Sequence, residues 1–275
     1  MKAYVCVACA TQFAPRASEP DLCPICTDER QFVPASGQAW TTVESLARRH
    51  GNQYREHEPG LIGIGSAPQI AIGQRALLVR TTEGNLLWDC ITLIDPATIE
   101  IVKALGGVQA IAISHPHYYG SMVEWSKTFG CKIYLHGDDR KWVMRPDPAI
   151  EYWDGTELCL FGGITLIRVG GHFAGGTVAH WPAGGLGKGA LLSGDIVMTL
   201  PDRKHVSFMR SYPNLIPLSA SAVRRIEERL DRFEFDRIYG PFFDRNTPSA
   251  GKLALKISAK RYLAAIQGDG SLELQ

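Results

Sequence analysis

The sequence predicts a mixed α/β protein preceded by a small cysteine-bound module, and three observations carry that expectation. Two C-x-x-C pairs, Cys6-Val7-Ala8-Cys9 and Cys23-Pro24-Ile25-Cys26, stand near the start of a chain of 275 residues. From Gly60 onward, short apolar runs alternate with helical stretches, the pattern of strands interleaved with helices. One of those runs, Ala110-Ile111-Ala112-Ile113, ends in His115-Pro116-His117-Tyr118.

The two cysteine pairs are separated by 13 residues that include Pro15, Glu19, Pro20 and Asp21. Each pair can wrap a cation from a tight turn, and four thiolates complete a closed tetrahedral site of the structural kind. So short a segment cannot build an adequate core alone, so its metal is expected to supply much of its folding free energy, on the order of 10 kcal/mol. Its Cys-Pro-x-Cys half resembles rubredoxin and the rubredoxin-like zinc ribbons. The resemblance implies a zinc ribbon over residues 1–36 that serves as a staple or as a surface for docking a protein; iron fits a sulfur tetrahedron as well. Cys90, Cys131 and Cys159 lie in apolar surroundings and are expected to be buried thiols without a role as ligands.

Along the rest of the chain, Val33-Pro34-Ala35-Ser36-Gly37 has the composition of a linker, and Thr41-Thr42-Val43-Glu44 the pattern of a capping box before a short helix. Residues 37–59 are therefore expected as a helical linker and 60–275 as the second domain. Strands are expected over 75–80, 85–90, 110–113 and 132–136, with helices over 97–105 and 121–129, the second opened by a capping box at Ser121 and Glu124. Residues 157–161 and 164–169 form an expected hairpin turning at Gly162-Gly163. A strand over 190–192 and helices over 220–232 and 254–267 complete the layout.

Candidate ligands fall at the ends of these strands. His115 and His117, alternate residues of an extended segment, are expected to share a face, with Pro116 fixing their spacing. Gly170-Gly171-His172 presents a third imidazole from a glycine loop, and Ser193-Gly194-Asp195 a carboxylate. Three imidazoles and a carboxylate make up a first coordination shell. His136, Asp138 and Asp139 are weighed as replacement ligands, but they have the pattern of a turn at a helix start.

In order and setting these residues resemble the metallo-β-lactamase superfamily, an αββα sandwich whose metal site lies on loops at one edge of its two sheets. His115-Pro116-His117 resembles the opening of the family's H-x-H-x-D-H motif, Gly171-His172 with Gly175 and Thr177 its next histidine loop, and Ser193-Gly194-Asp195 the loop bearing its bridging aspartate. Where the motif continues with aspartate and histidine this chain has Tyr119 and Gly120, and in place of the family's last histidine it has Gly240-Pro241-Phe242-Phe243. The resemblance therefore implies one metal, zinc or iron, held by His115, His117 and His172 with Asp195 as fourth ligand or base. Tyr119 or Tyr118 is expected to donate to a developing oxyanion or leaving group.

Composition bounds the partners. A formal net charge of +1, with no long run of Lys and Arg, disfavours nucleic acid and anionic membranes as partners. The chain lacks a signal-like start and any apolar run of about 20 residues, so the cytoplasm is expected. The resemblance implies a hydrolase of small molecules carrying an ester, thioester, lactone or related bond. Two alternatives stand beside it: a mononuclear iron oxidoreductase similar to the persulfide dioxygenases, which uses the same residues differently, and a non-catalytic binding module whose histidine site has decayed and whose zinc ribbon is a docking surface. The two metal sites are expected to be independent, His115→Ala emptying one and Cys23→Ser the other.

Overall fold

The computed structural model describes residues 1–268, which divide into two compact units, Met1–Asp154 and the residues from Gly155 onward. In the first unit seven strands form one sheet. Gly51–Glu58, Leu61–Ala67, Arg75–Thr81 and Gly84–Trp88 run as an antiparallel meander joined by short turns. Ala110–Ala112, Lys132–His136 and Ile150–Trp153 then add in parallel. Helices Pro96–Ala104 and Met122–Phe129 fill the first two crossovers, as parallel pairing requires.

The helix Pro96–Ala104 starts where its sequence dictates. Asp95 accepts a hydrogen bond from the Thr98 N–H at 2.7 Å, and Pro96 sits at the first turn, where its missing N–H costs nothing. The capping box expected at Ser121 is not formed. Ser121 Oγ instead donates to the Thr92 carbonyl at 2.7 Å, and Glu124 is held by Arg145 at 2.6 Å. Tertiary partners have displaced the local ones. Ile64, Leu78, Leu87, Ile111, Tyr118, Trp125 and Ile133 make the core of this unit.

The stretch expected as a helical linker carries only a four-residue helix, Val43–Leu46, capped by Thr42. Gly51–Glu58 is the edge strand of the sheet, so the sheet begins ahead of residue 60. At the front, the cysteine segment forms short ladders, Val5–Cys6 with Trp40–Thr41 and single bridges to Gln12 and Arg16.

The second unit has a six-stranded sheet in the order Glu157–Cys159, Thr165–Arg168, Thr177–Trp181, Ala190–Leu192, Arg237–Tyr239, Asn246–Thr247. The expected hairpin provides its first two strands. Only Ala190–Leu192 and Arg237–Tyr239 pair in parallel. The helix Ala220–Asp231 fills their connection and shares its core, Ile167, Val178, Leu191, Ile226 and Leu230, with Leu255 of the final helix, Gly251–Gln267. Between sheet and helix lie two short ladders, Met198–Thr199 with Val206–Ser207 and Met209–Ser211 with Ile216–Pro217. Cys159 sits on the first, edge strand and is exposed, contrary to expectation. Cys90 and Cys131 are buried, and burial pushes the Cys131 thiol up to about 11 and the Cys90 thiol well above its ordinary value. No helix among the described residues is long and apolar enough to cross a membrane.

Candidate metal centres

Each C-x-x-C pair of the front module turns through a knuckle. The Ala10 N–H donates to the Cys6 carbonyl at 2.8 Å, and the Thr27 N–H to the Cys23 carbonyl at 3.1 Å. The turns bring four buried sulfurs within 4.8 Å of one another, with Cys6 and Cys26 3.6 Å apart and Cys9 and Cys23 3.7 Å apart. A tetrahedron with metal–sulfur bonds of about 2.3 Å has sulfur–sulfur edges of about 3.8 Å, so the cluster fits a closed four-thiolate site. Hydrogen bonds between the sulfurs, that of Cys23 foremost, hold the Cys6 thiol below its ordinary range. Phe13 and Ile25 wall the cluster, with Trp40, Trp142 and Met144 against them.

His115 and His117 come together by a different route from the one expected. His115 is extended, with φ −172° and ψ 170°, but Pro116–Tyr118 is a single 3₁₀ turn rather than a continuation of the strand. Proline suits the first position of such a turn. The two rings meet edge-on at 5.0 Å, and both residues are buried.

Behind His115 stands a polar relay that no motif announced. Asp89 accepts from the Ser114 N–H at 2.8 Å and from Ser114 Oγ at 2.7 Å, and Ser114 Oγ lies 2.8 Å from His115 Nδ1. Because the serine proton goes to Asp89, its oxygen accepts from Nδ1–H, which leaves the lone pair on Nε2. That is how a second shell orients a histidine ligand. Asp89 adopts the left-handed conformation, φ 59°, a strain of about 1 kcal/mol or more that collects at functional sites. Ser114→Ala is expected to weaken metal binding at the histidine site about 10- to 100-fold while sparing the cysteine site, as a chelator titration would report.

The second unit holds its candidate ligands in the same manner. His172 Nδ1 donates to the Met209 carbonyl at 3.0 Å, which leaves the lone pair on Nε2, and Nε2 lies 3.8 Å from Asp195 Oδ1. Tyr212 donates to the Asp195 carbonyl at 2.7 Å and sets its ring 6.0 Å from that of His172. Both candidate ligands are buried. In each unit the partners were silent in the sequence, although an acid closing an apolar strand, Trp88-Asp89, was a usable signal.

The two tyrosines are placed differently. Tyr118 packs its ring edge-on against His115 at 4.4 Å. Tyr119 is buried, and its phenol is pushed well above its ordinary value by burial first and by the charges of Asp139 and Tyr152 after it. Along with Gln12, Gly120 and Arg145 it lines a small cavity beside the cysteine module. His136 accepts from the Asp138 N–H at 3.2 Å, so the turn expected there is realised and that residue is spent on capping. His50, His180 and His205 are bonded to the Pro68 carbonyl, the Glu234 carbonyl and Asp202 respectively, and His57 contacts Arg75.

By the resemblance, further family ligands would fall at Gly120 and in the stretch 240–243, and neither Gly120 nor Gly240 admits a side chain without a backbone shift. A Cβ on Gly120, which has φ +48°, would lie 2.9 Å from the carbonyl carbon of Ile91, and one on Gly240 would lie 2.6 Å from the Arg245 carbonyl oxygen. Backbone, not a flexible side chain, closes both. A histidine substituted singly at Gly120 or at Gly240 therefore meets backbone.

Solved structures place this architecture. The metallo-β-lactamase DIM-1 matches with a TM-score of 0.59 at 15% identity, covering 78% of this chain and 98% of that one. The metallo-β-lactamase FIM-1 from Pseudomonas aeruginosa, in its mono-zinc form, matches with a TM-score of 0.56 at 16% identity over 78% and 96%. The chain has the metallo-β-lactamase fold, with a four-cysteine module of zinc-ribbon type in front. No protein-family model matches it. It belongs to the family of YmaE, an uncharacterized protein of Bacillus subtilis (strain 168), to which it is 44% identical over 271 residues, 98% of each chain.

Proposed function

We propose that this protein is a metal-dependent hydrolase in which His115, His117, His172 and Asp195 together hold one divalent metal ion. The carrying observation is the way the candidate ligands are held: His115 and His172 each have Nδ1 engaged, by Ser114 and by the Met209 carbonyl, so that both present Nε2. Neutral imidazoles with a carboxylate suit zinc, and they also suit iron. The backbone closure at Gly120 and Gly240 supports a one-metal site. FIM-1, of the same fold, is described in a mono-zinc form.

When bound, such an ion supplies Lewis-acid polarisation of a carbonyl and acidifies water toward a pKa of about 7. The chain supplies the rest. Asp195 would share in holding such an ion and, through its other carboxylate oxygen, would accept the proton of the attacking water and orient it. Tyr118, in ring contact with His115, would donate to the developing oxyanion. Tyr119 serves as donor to the leaving group only if the small cavity it lines opens to substrate. Small molecules with an ester, thioester or lactone bond are the substrate class this chemistry suits. Four of the seven cysteines gathered in one cluster of metal-ligand type support a reducing compartment, and the cytoplasm is the location we propose.

The test is a panel of aryl esters, acyl thioesters and lactones assayed with the metal-reconstituted protein. Turnover of at least one class is expected, and Asp195→Asn is expected to lower it by about 10²-fold or more. Absence of turnover across the panel, or full activity in Asp195→Asn, contradicts the reading.

A further inference from the structure

The cysteine module is tied to the segment that carries His115 and His117 by several links, all within the first unit. Gln12, three residues beyond Cys9, donates its backbone N–H to the carbonyl of Gly120, three residues beyond His117, at 3.0 Å. The Ala10 carbonyl accepts from Thr92 Oγ1 at 2.6 Å, and the Thr92 carbonyl accepts in turn from Ser121 Oγ at 2.7 Å. Arg145 Nη1 bridges the Gln12 side-chain oxygen at 2.5 Å and Glu124 at 2.6 Å, on the helix that follows the histidines. Ala14 adds a backbone bond to Met144 at 3.1 Å.

These links matter because neither partner is rigid by itself. Within the histidine turn the backbone bonds are Tyr118 N–H to His115 and a longer one, 3.4 Å, from Tyr119 to Pro116. A single 3₁₀ turn of this kind is weak and takes its conformation from its surroundings. The module, for its part, has too small a core to keep residues 10–14 in place once its cysteines lose their cation. Gly120, the residue that receives the Gln12 N–H, also stands where a further metal ligand would otherwise be.

We propose that the four-cysteine module is a brace for the histidine segment, so that metal occupancy of the cysteine cluster sets how firmly His115 and His117 hold theirs. Gln12 and Thr92 are the positioning residues. The proposal rests on the reading of the two histidines as ligands, and it replaces the expectation that the two sites are independent. By linkage the coupling is mutual, but a change on the order of 10-fold is small against the affinity of a closed four-thiolate site, so emptying the histidine site is expected to leave the cysteine metal bound.

The test uses the full chain in four forms. Gln12→Pro deletes the N–H to Gly120 and leaves all four cysteines, Gln12→Ala keeps that N–H, Cys23→Ser empties the module, and Thr92→Val breaks the tie to Ala10 without altering the module's own sequence. Two quantities are read: zinc affinity of the histidine site by chelator competition, and amide exchange at Tyr118 and at Cys90, whose N–H bonds to the Tyr118 carbonyl at 3.1 Å. Gln12→Pro, Thr92→Val and Cys23→Ser are expected to weaken zinc on the order of 10-fold and to speed exchange at both amides. In the Gln12→Pro and Thr92→Val variants loaded with cobalt, the thiolate-to-cobalt absorption should persist, and Gln12→Ala should change least. Should Gln12→Pro lose that absorption, Thr92→Val decides. Unchanged affinity and exchange in Cys23→Ser and Thr92→Val overturn the brace. If the wild-type chain binds no metal beyond that of the cysteines, the reading of the histidines as ligands falls, while exchange at Tyr118 and Cys90 still decides the brace.

Discussion

Replacing His115 with alanine is expected to empty the histidine site at micromolar zinc and to abolish hydrolysis, with the cysteine metal still bound. The loss should exceed the about 10- to 100-fold typical of removing an outer-shell partner, because a donor atom itself is gone. A structural effect accompanies it. His115 is 1% exposed and packed against the rings of His117 and Tyr118. Ser114 Oγ keeps its bond to Asp89 when the imidazole is removed, but the lost contact to Nδ1 and the cavity left among buried rings cost stability, so a fall in urea midpoint should accompany the lost metal. Equal zinc content in wild type and variant, measured after dialysis against a weak chelator, would contradict the assignment of His115.

Cys23→Ser is expected to have the largest effect on stability. Cys23 is 0% exposed and its sulfur lies 3.7 Å from that of Cys9, so serine removes one of four thiolates from a site that has no spare ligand. The binding energy at stake, on the order of 10 kcal/mol, is folding energy for this module. Residues 1 to about 40 should lose protection from amide exchange and become sensitive to protease. Retention of the cysteine metal and of protection in this variant would show that the four sulfurs are a packed cluster and not a metal site.

What the sequence disclosed and what it withheld divide along a physical line. Apolar alternation revealed the core strands because their side chains are buried, as at Leu77, Leu78, Leu86, Leu87 and Ile111. Gly51–Glu58 was missed because an edge strand of composition GNQYREHE is polar on both faces and carries no period. The candidate ligands were legible as residue types at characteristic spacings, yet the means of bringing His115 and His117 together was not. Their shared face arises from a 3₁₀ turn rather than from an extended segment.

The supporting residues were the least legible. Ser121 and Glu124 spell a capping box, but Thr92 and Arg145, distant in sequence, claim both side chains. The partner of His172 is a backbone carbonyl, that of Met209, which any residue would supply. Gly120 and Gly240 read as absences in the sequence. The backbone of Ile91 and Arg245 against them shows that these positions are closed.

Counting metals per chain tests the central claim most directly. The purified protein, reconstituted with excess zinc and freed of loosely bound ion, is analysed for zinc and iron. The account predicts about two metals per chain, one in the four-cysteine module and one shared by the histidines and Asp195. A count near one would leave the histidines without a metal, and a count near three would mean that a second ion binds despite Tyr119, Gly120 and Gly240; either would contradict a single-metal centre.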